Sequence, residues 1–348
     1  MSLLITEPMM ASTMPKIASY SPNGPDLEKY YAAHNDDPVE YHPDKFDANI
    51  QGAVVSCYEL GCMIGSGFVL FKGDKMGRRW CVVIGSIIMI IGTVVMVVHD
   101  TLPSFVVGRV VAGIGNGLNT ATIPMLQSEL SRPQYRGLLV FIEGALLAGG
   151  VMVSYWIDFA FYFLKFNSVQ WRFPIAFQIV FALILLLGVL VMPESPRWLV
   201  KVDRMEDANR VLAQLYDTEM DDPVVQQELH TLTDSIRKVE ANLGPFKYSE
   251  LGKNGPHQNL YRLILGCGSQ AMQQWTGINN LTYYASTVFK MVQSDDVASR
   301  LLVCGSGVLY FLAAAFAVFF IDIAGRRMLM IWCAFGMMLC FAIIAGMV

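Results

Sequence analysis

Charge is scarce in this chain. Asp, Glu, Lys and Arg together supply 16% of the 348 residues, where a soluble globular domain carries about 25%. Enzyme signatures are missing as well. There is no nucleophile–base pair, no metal-ligand spacing and no phosphate-binding loop, so an enzyme is not expected, no cofactor or metal is implied, and no nucleic-acid partner is called for. Cysteine is present but without a framework. Cys57, Cys62, Cys81, Cys267, Cys304, Cys333 and Cys340 all lie in apolar stretches, and an odd count without ligand spacing argues for packing residues rather than disulfides. A basic segment followed by an apolar core is absent from the N-terminus, so no cleavable signal peptide is expected.

Long apolar runs are what the chain has instead. Hydrophobic residues make up 54% of it. The stretches Trp80 to Val98 and Phe173 to Met192 contain no charge at all, and about 20 such residues cross a ~30 Å hydrocarbon layer as helix. Eight spans are predicted, at 50–71, 80–98, 103–126, 138–164, 173–192, 260–290, 300–321 and 328–348. The chain is therefore expected to be an all-α membrane protein seated in a lipid bilayer. Residues 1–49 are polar beyond Glu7 and read as a loop outside the membrane. In the third span Gly108, Ala112, Gly113, Gly115 and Gly117 would let helix backbones approach closely. A charged stretch at 193–259, with amphipathic pieces, reads as short surface helices linking a bundle at 50–192 to a second at 260–348.

Basic residues set the orientation. Lys72, Lys75, Arg78 and Arg79 follow the first span, Arg132 and Arg136 the third, and Arg326 and Arg327 the seventh, while the alternate loops hold fewer. The basic loops face the cytoplasm. A repeat accompanies them: Asp74-Lys75-Met76-Gly77-Arg78-Arg79 and Asp322-Ile323-Ala324-Gly325-Arg326-Arg327 both read Asp-x-x-Gly-Arg-Arg. The copies stand six spans apart, so the unit is six helices in parallel orientation. By that register the eight spans are helices two to nine of twelve. The expectation is a piece of a transporter cut at both ends, with Met1 to Glu7 a remnant of helix one, and unable to transport alone.

These motifs, with Gly108-Arg109, Glu129, Arg136-Gly137, Pro193-Glu194-Ser195-Pro196-Arg197-Trp198-Leu199 and Gln273-Gln274-Trp275-Thr276-Gly277-Ile278-Asn279, resemble the sugar-porter branch of the major facilitator superfamily, fungal members above all. The resemblance runs over nearly the whole chain. It implies two helical bundles that rock about a mid-membrane site and carry a sugar or polyol, without settling whether protons are coupled. It also implies that Asp74, Arg78, Arg79, Arg109, Glu129, Arg136, Glu194, Asp322, Arg326 and Arg327 form cytoplasmic ion pairs between helices, which hold one state and break as the bundles rock. Read from the residues alone, the arginines are also ordinary positive-inside anchors. A non-transporting nutrient sensor on the same fold is the alternative function.

The sixth span carries the substrate argument. At ~100° per residue, Gln273, Thr276, Asn280, Tyr283 and Tyr284 fall in one stripe. Amides and hydroxyls both donate and accept, which suits a small neutral polyhydroxylated solute, and aromatic rings offer flat apolar faces. Gln274 and Asn279 leave the stripe on an ideal helix, and Gly277 is the place for the helix to unwind. By resemblance the sugar-contacting positions are Gln273, Gln274, Asn279 and Tyr283. Hydrogen bonding between helices is the bland role for the same amides. Thr120 matches a polar position near the family's site. Glu143, an acid inside the fourth span, is a candidate for H+ coupling, for a ligand hydroxyl or for a structural hydrogen bond. Departures are visible too: Gly144 stands where hexose carriers have glutamine, and Tyr310 where they have asparagine. Asp158, towards the outer end of the fourth span, is expected to be solvated.

Overall fold

The computed structural model describes residues 48–98, 102–132, 135–163, 169–243, 258–278, 282, 285, 288–289 and 295–347. Every regular element among them is a helix. Five long helices come first: α1 (Ala48–Met76), α2 (Arg78–Val98), α3 (Leu102–Leu130), α4 (Arg136–Tyr162) and α5 (Val169–Val191). Three shorter ones follow, α6 (Pro196–Lys201), α7 (Met205–Tyr216) and α8 (Pro223–Leu243), and then α9 (Asn259–Trp275), α10 (Asp296–Ala324) and α11 (Arg326–Met347). Among the described residues five helices are long and apolar enough to cross a membrane by length and composition: α1, α2, α4, α5 and α10. The segment Arg327–Ile343 of α11 is apolar but shorter.

Helix ends follow local chemistry. α1 outlasts the expected span because Lys72, Asp74 and Lys75 continue the helix beyond the apolar run. It stops where Gly77 takes φ +84°, a left-handed conformation open to glycine at little cost, and α2 begins at the next residue. The second copy of the repeat does the same. Gly325 takes φ +77° between α10 and α11, so the internal repeat is a repeat of backbone shape. The sixth span does not run as one uninterrupted helix. α9 ends at Trp275, and Gly277 takes φ +77° just beyond it.

α3 is the hub of the first group, packed against both α1 and α2. Its glycines serve two different faces. A Cβ on Gly113 would come within 2.4 Å of the Tyr58 carbonyl oxygen of α1, and one on Gly115 within 2.5 Å of the Gly85 carbonyl oxygen of α2. No side chain larger than hydrogen allows such approaches, and close backbones supply the dispersion contact that joins helices in lipid. α5 covers α2, and Ile175 and Ala182 complete a core with Val54, Tyr58, Met89, Met96, Phe105 and Ala112.

α4 turns elsewhere. Its main packing partner is α10, through Val151, Tyr155, Val303 and Cys304. The link between the groups is an amphipathic cap: Leu199, Val200, Ala208 and Val211 bury against one another, with Leu130 at the end of α3 packed on them. Ser195 starts α6 by accepting a hydrogen bond from the Trp198 amide at 3.3 Å, and Pro196 suits the first turn, where no N–H is needed. Asp217, at φ +56°, ends α7.

Candidate functional site

The ends of α1, α2, α3 and α5 that carry the basic motifs converge on the start of α6. Glu194 is the centre of this cluster. Its carboxylate accepts from the backbone amides of Arg78 at 3.0 Å, Arg79 at 3.1 Å and Ser195 at 3.0 Å. Arg78 and Arg79 open α2, whose first amides have no partner within the helix, and the positive end of the helix dipole favours an anion there. Arg79 works in the opposite direction. Its guanidinium donates to the Leu190 carbonyl, one of the orphan acceptors in the last turn of α5. Each helix end is thus capped by a side chain from beside the other.

Around this pair of caps lies a charge network. Arg78 Nη1 is 3.2 Å from Asp74 Oδ1, and Lys201 Nζ is 2.7 Å from Asp74 Oδ2. Arg78 Nε is 3.2 Å from Glu129 Oε2, with both side chains only 12% exposed. The angle of that last contact is too poor for a hydrogen bond, so its attraction is Coulombic. The Trp198 indole N–H donates to the Asp74 carbonyl at 2.8 Å. A Cβ on Gly77 would stand 2.6 Å from Glu194 Oε2, so this glycine is needed for space as well as for its φ.

The structure therefore brings together Asp74, Arg78, Arg79, Glu129 and Glu194, and adds Trp198 and Lys201, which charge pattern alone did not single out. Arg109 does not join them. It lies near the opposite end of α3 from Glu129, about 30 Å away along the axis at 1.5 Å per residue. There it is 1% exposed, with its guanidinium 5.1 Å from the centre of the Tyr58 ring and Nη2 3.4 Å from the Val55 carbonyl. Arg327 is exposed at the start of α11. The side chains of Arg136, Asp322 and Arg326 lie outside the described residues, although their helical backbones are described.

Of the expected solute-facing residues, Gln273 and Gln274 are exposed in the last turn of α9. Asn279, Asn280, Tyr283 and Tyr284 lie outside the described residues. Thr120 is exposed on α3, and its hydroxyl donates back to the Asn116 carbonyl at 3.0 Å. Glu143 is half-buried on α4, next to Gly144, where an added Cβ would meet nothing within 4 Å. One expectation is overturned: Asp158 is not simply solvated. Its side chain is 20% exposed and pairs with Arg300 of α10 at 3.6 Å.

A profile of the family described as "Sugar (and other) transporter" matches residues 16–348. The chain belongs to that family. Among similar proteins is "Sugar transporter STL1" of Saccharomyces cerevisiae, 40% identical over 86% of this chain and 53% of its own length. A "Low-affinity glucose transporter" of Kluyveromyces lactis is 33% identical over 85% of this chain and 51% of its own. The chain thus spans about half the length of these curated relatives. In fold, this sugar-transporter chain matches the proton:xylose symporter XylE bound to 6-bromo-6-deoxy-D-glucose, with TM-score 0.73 at 23% identity over 93% of this chain and 68% of that one. It also matches a partially occluded, inward-open XylE from E. coli, with TM-score 0.68 at 22% identity over 93% and 71%. The architecture is the major facilitator fold in part, and the protein is a multi-pass membrane protein and not an enzyme.

Proposed function

We propose that this protein carries a small neutral polyhydroxylated solute, a sugar or a polyol, across a membrane by alternating access. The plasma membrane is the proposed site. The observation that carries the reading is the polar face of α9 and the segment after it: Gln273 and Gln274 stand exposed where the helix ends before Gly277, and Asn279, Asn280, Tyr283 and Tyr284 follow without Lys or Arg among them. Amides there can serve hydroxyl groups as donor and acceptor alike, whereas a carboxylate or phosphate solute would call for a cation. Thr120 is placed by the same reading on the facing wall of the path. The bundles, taken as 50–192 and 260–348 with 193–259 between them, rock around that site, and the solute leaves chemically unchanged.

Glu143 supports coupling to protons. An acid in a span is costly unless it is paired, hydrated or protonated, and beside the space at Gly144 it is placed to gain and lose a proton as the path opens and closes. The full-length protein, expressed in a host lacking its own carriers, tests both parts. Labelled hexoses, pentoses or glycerol should accumulate with saturable kinetics, and Glu143→Gln should remove the dependence of uptake on external pH. Uptake confined to amino acids, peptides or organic anions would overturn the solute class. Unchanged pH dependence in Glu143→Gln would overturn the coupling.

A further inference from the structure

The charge network described above ties α1, α2, α3 and α5 of the first bundle to α6 of the linking segment. A different pair of charges crosses the proposed division between bundles. Arg300, in the first turns of α10, places Nη1 3.6 Å from Oδ2 of Asp158 near the end of α4, and the two side chains are only 12% and 20% exposed. Tyr162 lies one turn beyond Asp158, and the Arg300 guanidinium carbon stands 4.2 Å from the centre of its ring. By the positive-inside orientation this is the outer end of both helices.

Deeper along the seam the contacts are tight. Cys304, one turn from Arg300, is 1% exposed, and its thiol donates to the Tyr155 carbonyl at 3.3 Å. The Tyr155 hydroxyl donates to the Thr282 carbonyl at 3.1 Å. Gly307 is pressed so close that an added Cβ would stand 2.7 Å from the Tyr155 ring. These contacts set the register of α4 against α10, and that register brings Asp158 to Arg300.

Charges removed from water this far are tolerable when paired and costly when separated without water. A cation over an aromatic face gains further when it is desolvated. The arrangement is therefore favourable in two states only: seam closed with the pair intact, or seam open with both charges hydrated. A half-open seam, with charges parted but still dry, is the unfavourable point between them.

We propose that Asp158 and Arg300, with Tyr162 as the aromatic seat of the cation, form a latch at the outer end of α4 and α10 that holds this seam shut and must open for solute to enter the path from outside. The proposal rests on the alternating-access reading, but its test needs no solute. Cys304 is a native reporter, buried in the seam one turn below the latch. In intact cells expressing the full-length protein, its reaction with a small membrane-impermeant maleimide is read as the difference between proteins with and without Cys304→Ser. Asp158→Asn and Arg300→Gln keep the side-chain shapes approximately and remove the ion pair. Each should speed Cys304 labelling about 2- to 30-fold, the span for a residue that biases a two-state element. The exchanged pair, Asp158→Arg with Arg300→Asp, should bring the rate back towards that of the unaltered protein. Labelling that stays at the unaltered rate in both single variants overturns the latch, and so does an exchanged pair that labels as fast as they do. Where a single variant fails to reach the surface, the exchanged pair decides alone: slow labelling supports the latch and fast labelling rejects it. A wrong solute assignment leaves all of these outcomes unchanged.

Discussion

At the residue scale, several charged groups act on backbone rather than on opposite charge. Glu194 was legible as part of a motif, and its acidic character suggested an arginine partner. What it does is accept three backbone amides, two of them from the half-buried first turn of α2. Sequence pattern shows that a charge is present but not whether its partner is a side chain or a helix end. The distinction has consequences. Glu194→Ala leaves those amides without their acceptor and should lower stability by about 1–3 kcal/mol, the penalty for orphaned polar groups. Glu194→Gln keeps one carbonyl oxygen and should lose less. Thermal unfolding in detergent ranks the two, and equal stability of Glu194→Ala with the unaltered protein would remove the capping role. Gly77→Ala should cost more than its φ alone requires, because the added Cβ meets Glu194 Oε2 at 2.6 Å.

At the element scale, the spans were readable because a helix that crosses hydrocarbon needs a long, predominantly apolar run, and five of the described helices have one. The glycines of the third span were readable as a packing surface, but not as two surfaces; only packing shows that Gly113 serves α1 and Gly115 serves α2. The same residue type has the opposite meaning in α9, where a Cβ on Gly266 would meet nothing within 4 Å. Gly113→Ala should therefore overpack the α1–α3 contact and destabilise by about 1–3 kcal/mol. Gly266→Ala should be neutral or stabilising, by up to about 1 kcal/mol from helix propensity. Melting temperatures of the two variants should move in opposite directions, or only the first should move. A common drop would mean that α9 is packed against something at Gly266. What the sequence concealed at this scale was pairing across distance. Asp158 and Arg300 are far apart in the chain, each reads as an ordinary charge near the end of a span, and only the α4–α10 register unites them.

At the scale of the whole molecule, the two sets of candidate residues should separate in function. Gln273 and Gln274 of α9, with Asn279 after Gly277, are proposed to meet the solute directly. Arg78 and Glu129 sit at the ends of α2 and α3 nearest α6, where their pair is largely withdrawn from water. Interactions made with the solute in every state lower its dissociation constant, while interactions that differ between states shift the balance of states and the speed of exchange. Gln274→Ala and Asn279→Ala should weaken equilibrium binding of a transported sugar or polyol by about 1–3 kcal/mol each where a buried hydrogen bond is lost, and the maximal rate should change less. Glu129→Ala strands the Arg78 guanidinium near Asp74 without its second acid. Since Lys201 and Trp198 also hold Asp74, the disturbance should spread to α6 and to the hinge between bundles. Binding should then stay within about threefold, a shift of under 1 kcal/mol, while turnover changes by more. Measuring binding by calorimetry and uptake by labelled solute, in these three variants and the unaltered protein, separates the two. Loss of affinity in Glu129→Ala equal to that in Gln274→Ala would mean that the charge network around α6 shapes the binding site itself, and the division between binding and gating residues would have to be redrawn.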